Sequence, residues 1–152
     1  MPTQENQRKI QEILFKFMRS FDDKDFALMQ SCMCDEVYLD YSTFRKTPPG
    51  KQKSRQYCEE RQKSLATLIT QHNLFNIIME NDAVNLMAKV NCNFVIYRFT
   101  KSPSGSKEDF FHSYGQYEFE LRFEEQNWKI SSITQKILMN EGNPDIHKGI
   151  LK

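Results

Sequence analysis

The stretch from Val84 to Ile96, VNLMAKVNCNFVI, decides the fold. Val84, Leu86, Ala88, Val90, Cys92, Phe94 and Ile96 alternate with Asn85, Met87, Lys89, Asn91 and Asn93, the two-residue period of a strand that buries one face. Phe111 to Phe123 repeats the pattern. Phe111, Ser113, Gly115, Tyr117, Phe119, Leu121 and Phe123 share one side, and His112, Tyr114, Gln116, Glu118, Glu120 and Arg122 share the other. Lys101 to Asp109 between them, with its Ser-Pro-Ser-Gly-Ser, reads as a loop. Leu74 to Met79 is a further strand, closed by a hairpin turn at Asn81-Asp82. Gln126-Asn127 turns the chain into Trp128–Leu138, whose apolar parity moves from Trp128 and Ile130 to Ile133 and Ile137; that shift predicts a bulge near Ser131-Ser132.

Ahead of these strands the period is helical. Ile10, Ile13, Leu14, Phe17, Met18 and Phe21 form one stripe, which ends at Asp22-Asp23. Asp25 is placed to cap a short second helix carrying Phe26, Leu28, Met29 and Cys32. Val37 to Tyr41 is a short β-favouring run, and Thr47-Pro48-Pro49-Gly50 breaks the chain. Ser54 is placed to cap a third helix with Tyr57, Cys58, Arg61, Leu65, Leu68 and Ile69 inward. Helices followed by a meander of antiparallel strands make an α+β fold. The expected form is a strongly curved, cone-shaped sheet, mixed or antiparallel, with the helices on its concave face. One domain spans residues 1–139, followed by a tail over 140–152 without a period, mobile or docked on a partner.

The 152 residues carry 21 Lys and Arg against 20 Asp and Glu, a net charge of +1 that argues against a broad nucleic-acid face. No apolar run approaches a membrane span and the amino terminus has no secretory h-region, so a cytoplasmic location is expected. Cys32, Cys34, Cys58 and Cys92 then read as reduced, buried thiols. There is no G-x-S-x-G, P-loop, dinucleotide fingerprint or H-E-x-x-H, so neither cofactor nor metal is expected.

Several short motifs together resemble the nuclear-transport-factor-2-like superfamily and, within it, the SnoaL-like group. They are Phe21-Asp22-Asp23-Lys24-Asp25, Leu39-Asp40-Tyr41, His72, Asn76, Asn81-Asp82-Ala83, Gly115-x-Tyr117 and Asn127-Trp128-Lys129-Ile130. The second half, with Asn93-Phe94-Val95-Ile96-Tyr97-Arg98 and Tyr117 to Arg122, also resembles the β subunits of ring-hydroxylating dioxygenases. The resemblance implies a cone with a pocket for a small apolar or aromatic metabolite, and a homodimer formed through the outer sheet face. Three functions follow from it: a cofactor-free lyase or isomerase, a non-catalytic β-type dioxygenase subunit, or a binding-only cone.

Tyr38 and Asp40 share one strand face, and Val37, Leu39 and Tyr41 share the other. With Tyr38 and Asp40 inward, Asp40 is a carboxylate in a poorly hydrated cavity, usable as a general base. The alternative is an Asp that hydrogen-bonds the following loop at Ser42-Thr43. His72 opens the next strand, and Asn76 lies four residues on. Asp40 and His72 are the expected catalytic pair, because a carboxylate fixes an imidazole's tautomer and raises its basicity. A His tied to a backbone carbonyl at a helix-to-strand corner is the other reading. Tyr38, Asn76 and Tyr117 are the expected substrate-positioning residues. His112 has outward parity.

Overall fold

The structure is a computed structural model that describes residues 3–152; residues 1–2 of the expected domain lie outside the described residues. The described residues form three helices and six strands: α1 (Gln4–Asp22), α2 (Phe26–Ser31), β1 (Met33–Asp40), β2 (Gly50–Lys53), α3 (Ser54–Leu65), β3 (Leu68–Asp82), β4 (Met87–Thr100), β5 (Phe111–Glu124) and β6 (Asn127–Gly142). The α+β class is as the sequence implies. The sheet runs β2-β1-β6-β5-β4-β3 and is open. β3 to β6 form the antiparallel meander, β1 joins β6 in parallel, and β2 covers the far edge antiparallel to β1.

The apolar stripe of α1 puts Ile10, Leu14 and Phe17 in full burial against Val90, Cys92, Phe94, Phe119, Leu121 and Ile130 of the sheet. That alternation is why β4 and β5 bury one face only. The bulge expected at Ser131-Ser132 is present, where Glu120 pairs with Ser132 and Leu121 with Ile130. A second bulge falls at Leu138, opposite the Tyr114/Gly115 step. Gly115 has no alternative there, because a Cβ would sit 2.0 Å from the Lys136 carbonyl oxygen.

Some boundaries differ from the expectation, for local reasons. Asp82 Oδ1 accepts the amides of Val84 and Asn85, both at 3.1 Å. This Asx-type turn holds Val84 out in solvent and starts β4 at Met87. Leu68 and Ile69 belong to β3, not α3. Ser54 is the first residue of α3, whose cap, Lys53, makes no side-chain bond. Asp25 does cap α2, accepting the Leu28 amide at 3.0 Å. Asp25→Ala is therefore expected to cost about 1 kcal/mol, read as a lower urea midpoint; an unmoved midpoint would show the cap to be idle.

The four cysteines are buried and unbridged. Among the described residues no helix is long and apolar enough to cross a membrane, and no three His, Cys, Asp or Glu side chains cluster as metal ligands. The tail does not stand apart. β6 runs on to Gly142, a single 3₁₀ turn covers Pro144–Ile146, and Ile150 buries itself against Phe44 and Phe111. The Leu151 amide then donates to the Phe44 carbonyl at 2.7 Å. From this segment His147 reaches the small cavity between helices and sheet.

Candidate functional site

α1 ends where β3 begins, and that junction builds a dyad. Asp22 is the last residue of α1. Its Oδ2 accepts the backbone N–H of His72 at 2.9 Å, and its Oδ1 accepts the Thr70 hydroxyl at 2.9 Å. The same Oδ1 lies 2.7 Å from His72 Nδ1. The imidazole side chain is 5% exposed and Asp22 is 13% exposed. Phe21 stacks on the ring with centroids 4.5 Å apart. Burial pulls the His72 pKa below the usual value; Asp22 opposes that, and the positive charges of Arg98 and Arg61 add to it. The ring is thus neutral at pH 7, with Nδ1–H donated to Asp22. Nε2, with its lone pair free, is left as the nitrogen available to a substrate.

His72 lines a small, partly open cavity of about 20 Å³, walled also by Phe21, Tyr41, Phe44, Leu65, Ile96, Tyr117 and Gln135. Tyr117 points inward, as its parity implied, and its hydroxyl accepts Gln135 Nε2 at 2.9 Å. Tyr41 and Tyr57 share a hydrogen bond between their hydroxyls, 2.8 Å apart. Three arginines, Arg45, Arg61 and Arg98, and a second histidine, His147 from the tail, complete the wall. His147 meets Phe44 edge-on at 5.4 Å. Its pKa is driven down to about 2 by burial first, then by Arg98 and Arg45.

Three of the expected site residues lie elsewhere. Tyr38 and Asp40 do not face the cone: Val37, Leu39 and Tyr41 are buried and Tyr38 is 42% exposed. Val37 and Leu39 of β1, with Tyr41 just beyond it, outweigh Tyr38 and Asp40 in choosing the inner face. Asp40 instead accepts the Ser42 amide at 3.0 Å and the Ser42 hydroxyl at 2.6 Å, the loop-tying alternative. The carboxylate that meets His72 is Asp22, not Asp40. Asn76 is exposed because the β3 register slips between Phe75 and Ile78, and Asn76 itself takes a left-handed φ of +54°. One slipped residue turns a side chain to the other face.

His112 keeps out of the cavity, with its ring stacked on Phe110 at 4.5 Å. The residues that sequence reasoning passed over are Asp22, Arg98, Arg45 and His147. Arg98 continues the inward parity of Phe94 and Ile96, and Asp22 stands one turn beyond Met18; both signals were present. The places of Arg45 and His147 depend on the tail folding back, which no periodicity announces.

A family model described as a SnoaL-like domain matches residues 2–134. Among solved structures, a protein from Kribbella flavida superposes with a TM-score of 0.83 at 19% identity, covering 92% of this chain and 95% of that one. A type 2 hexachlorocyclohexane dehydrochlorinase gives 0.72 at 13% identity, covering 94% and 92%. A nuclear-transport-factor-2-like protein with a cystatin-like fold from Novosphingobium aromaticivorans gives 0.69 at 14% identity, covering 88% and 82%. These likenesses show the fold. Among curated proteins none matches the chain in sequence.

Proposed function

The chain belongs to the SnoaL-like domain family, and on that premise we propose that it is a cofactor-free acid–base catalyst, a lyase or isomerase, acting on a small cyclic or aromatic molecule inside the cone. The observation that carries this reading is the buried His72–Asp22 pair, with Nδ1 at 2.7 Å from the carboxylate and the ring on the cavity wall. A neutral imidazole in a dry site is a competent base for a carbon-bound proton. Nε2 takes that proton. The electron pair left on carbon either enters an adjacent carbonyl as an enolate or expels a leaving group from the neighbouring carbon. Asp22 stabilises the imidazolium so formed. Return of the proton to another carbon completes an isomerisation, and its delivery to a departing hydroxide completes a dehydration. Tyr117, anchored by Gln135, is placed to orient a carbonyl oxygen. The dehydrochlorinase among the structural neighbours removes hydrogen chloride by its name, a reaction of the same kind.

With the tail down, about 20 Å³ holds roughly one water. A substrate therefore enters when the tail lifts. What the tail gives up is small, since Phe44, Phe111 and Ile150 form a cluster separate from the main core.

A probe of 5-nitrobenzisoxazole tests the reading. Loss of its ring C–H proton breaks the N–O bond and releases a coloured nitrophenolate. The full chain is expected to turn it over with saturation, and His72→Gln to return the rate to that of buffer. Equal turnover by His72→Gln would remove the proposal.

A further inference from the structure

The cavity wall carries three guanidinium groups and, among the described residues, no carboxylate. Arg98 is 3% exposed and Arg61 4%. Arg98 Nη1 donates to Ser113 Oγ at 2.7 Å, and its Cζ lies 4.8 Å from the centroid of the Phe44 ring. Arg61 stacks on Tyr57 at 4.1 Å; its nearest acid is Glu60, at 4.0 Å on the solvent side. Arg45 Nε is buried without a partner, and so is Gln135 Oε1. Burial draws Arg45 down to about 9, with Arg61 adding repulsion, and draws Arg98 to about 10. Proteins pair buried charges or leave them in water. Here three cations converge on one space without an anion.

Arg45 and Arg61 also line an outer groove of about 270 Å³ together with Lys63 and Lys148, where Glu60 is the one acid. Basic side chains thus run from the surface to the cavity wall through two shared arginines, an arrangement that draws anions inward.

We propose that the cavity takes an anionic substrate, a ring compound bearing a planar carboxylate that docks on Arg45 and Arg98 while its ring faces His72. Guanidinium matches carboxylate in plane and in charge. Gln135 Oε1, the unpartnered acceptor, is placed for a hydroxyl on the same ring. This deepens the proton-transfer reading by naming the substrate class, and it rests on that reading only for what happens after docking.

Benzoate, with benzamide as its neutral isostere, is the probe. Both are titrated into the ¹⁵N-labelled full chain at constant ionic strength in sodium chloride, following the Nε–H resonances of the arginines. Benzoate is expected to shift the Arg45 resonance saturably and to bind at least tenfold tighter than benzamide. Arg45→Gln should abolish the preference by weakening benzoate, and Arg55→Gln, which removes an exposed guanidinium on α3, should keep it. Equal binding of the two probes, no saturable shift, or a preference that survives Arg45→Gln would each overturn the assignment. The two readings fail separately. Carboxylate preference without any His72-dependent turnover sinks the catalysis alone, and turnover of a neutral probe without that preference sinks the anion site alone.

Discussion

Asp22→Asn is expected to lower turnover of 5-nitrobenzisoxazole by about 10²- to 10⁴-fold, the range a positioned acid–base group supplies. The argument lies in the donors that Asp22 holds. Its Oδ1 faces the Thr70 hydroxyl and His72 Nδ1, and its Oδ2 faces the His72 amide. An asparagine can replace one of those oxygens with NH₂, and either orientation does damage. With NH₂ toward the imidazole, Nδ1 must accept, the proton moves to Nε2, and the base facing the cavity is lost. With NH₂ toward the His72 amide, two donors collide and a buried N–H goes unpaired, at about 1–3 kcal/mol. Urea denaturation separates that cost from the catalytic one.

The pH profile adds a sign. Asp22 is what raises the His72 pKa against burial. Its removal leaves the pKa lower still, so the acid limb of whatever activity remains moves to lower pH. Asp22→Asn within threefold of wild type, or an acid limb moved upward, would show that the pair is structural.

The strands that bury one face were legible because their alternation is long: Ala88 to Ile96 holds one register, and the parity break at Ser131-Ser132 is itself the bulge. β1 was misread for the opposite reason. Five residues with aromatics on both faces leave the choice to burial, and Val37, Leu39 and Tyr41 decide it. The site divides along the same line. His72 and Tyr117 sit on strands with one clear face. Asn76 was lost to a bulge whose one local hint is that asparagine tolerates a left-handed φ. Arg61 reads as inward from the helical stripe; Arg98 has inward parity too, and its charge hides it, since a buried arginine without an acid runs against the ordinary rule. Asp22 shares the inward stripe with Met18, but its pairing with His72 needs the α1–β3 junction, a contact between residues fifty apart, and no local period encodes that partner.

Between pH 7 and pH 5 the tail is expected to come off the cavity wall. His147 sits 3% exposed among Arg98, Arg45 and Arg61, opposed only by its bond to the Lys148 carbonyl at 2.9 Å. Its pKa while docked is about 2, against about 6.5 once released. The released form therefore binds more protons, so docking is at full strength above about pH 6.5 and weakens as pH falls toward the docked value. Each unit below 6.5 contributes about 1.4 kcal/mol to release, roughly 2 kcal/mol by pH 5, or about 30-fold in the equilibrium. The Leu151 amide, which donates to the Phe44 carbonyl, reports it. Its hydrogen-exchange protection should drop about 30-fold from pH 7 to pH 5, while the β4–β5 ladder stays protected. In His147→Phe the drop should vanish, because the aromatic contact with Phe44 survives without a titrating group. Protection at Leu151 that ignores pH in the natural chain, or that falls equally in His147→Phe, would break the link between this histidine and the docked tail.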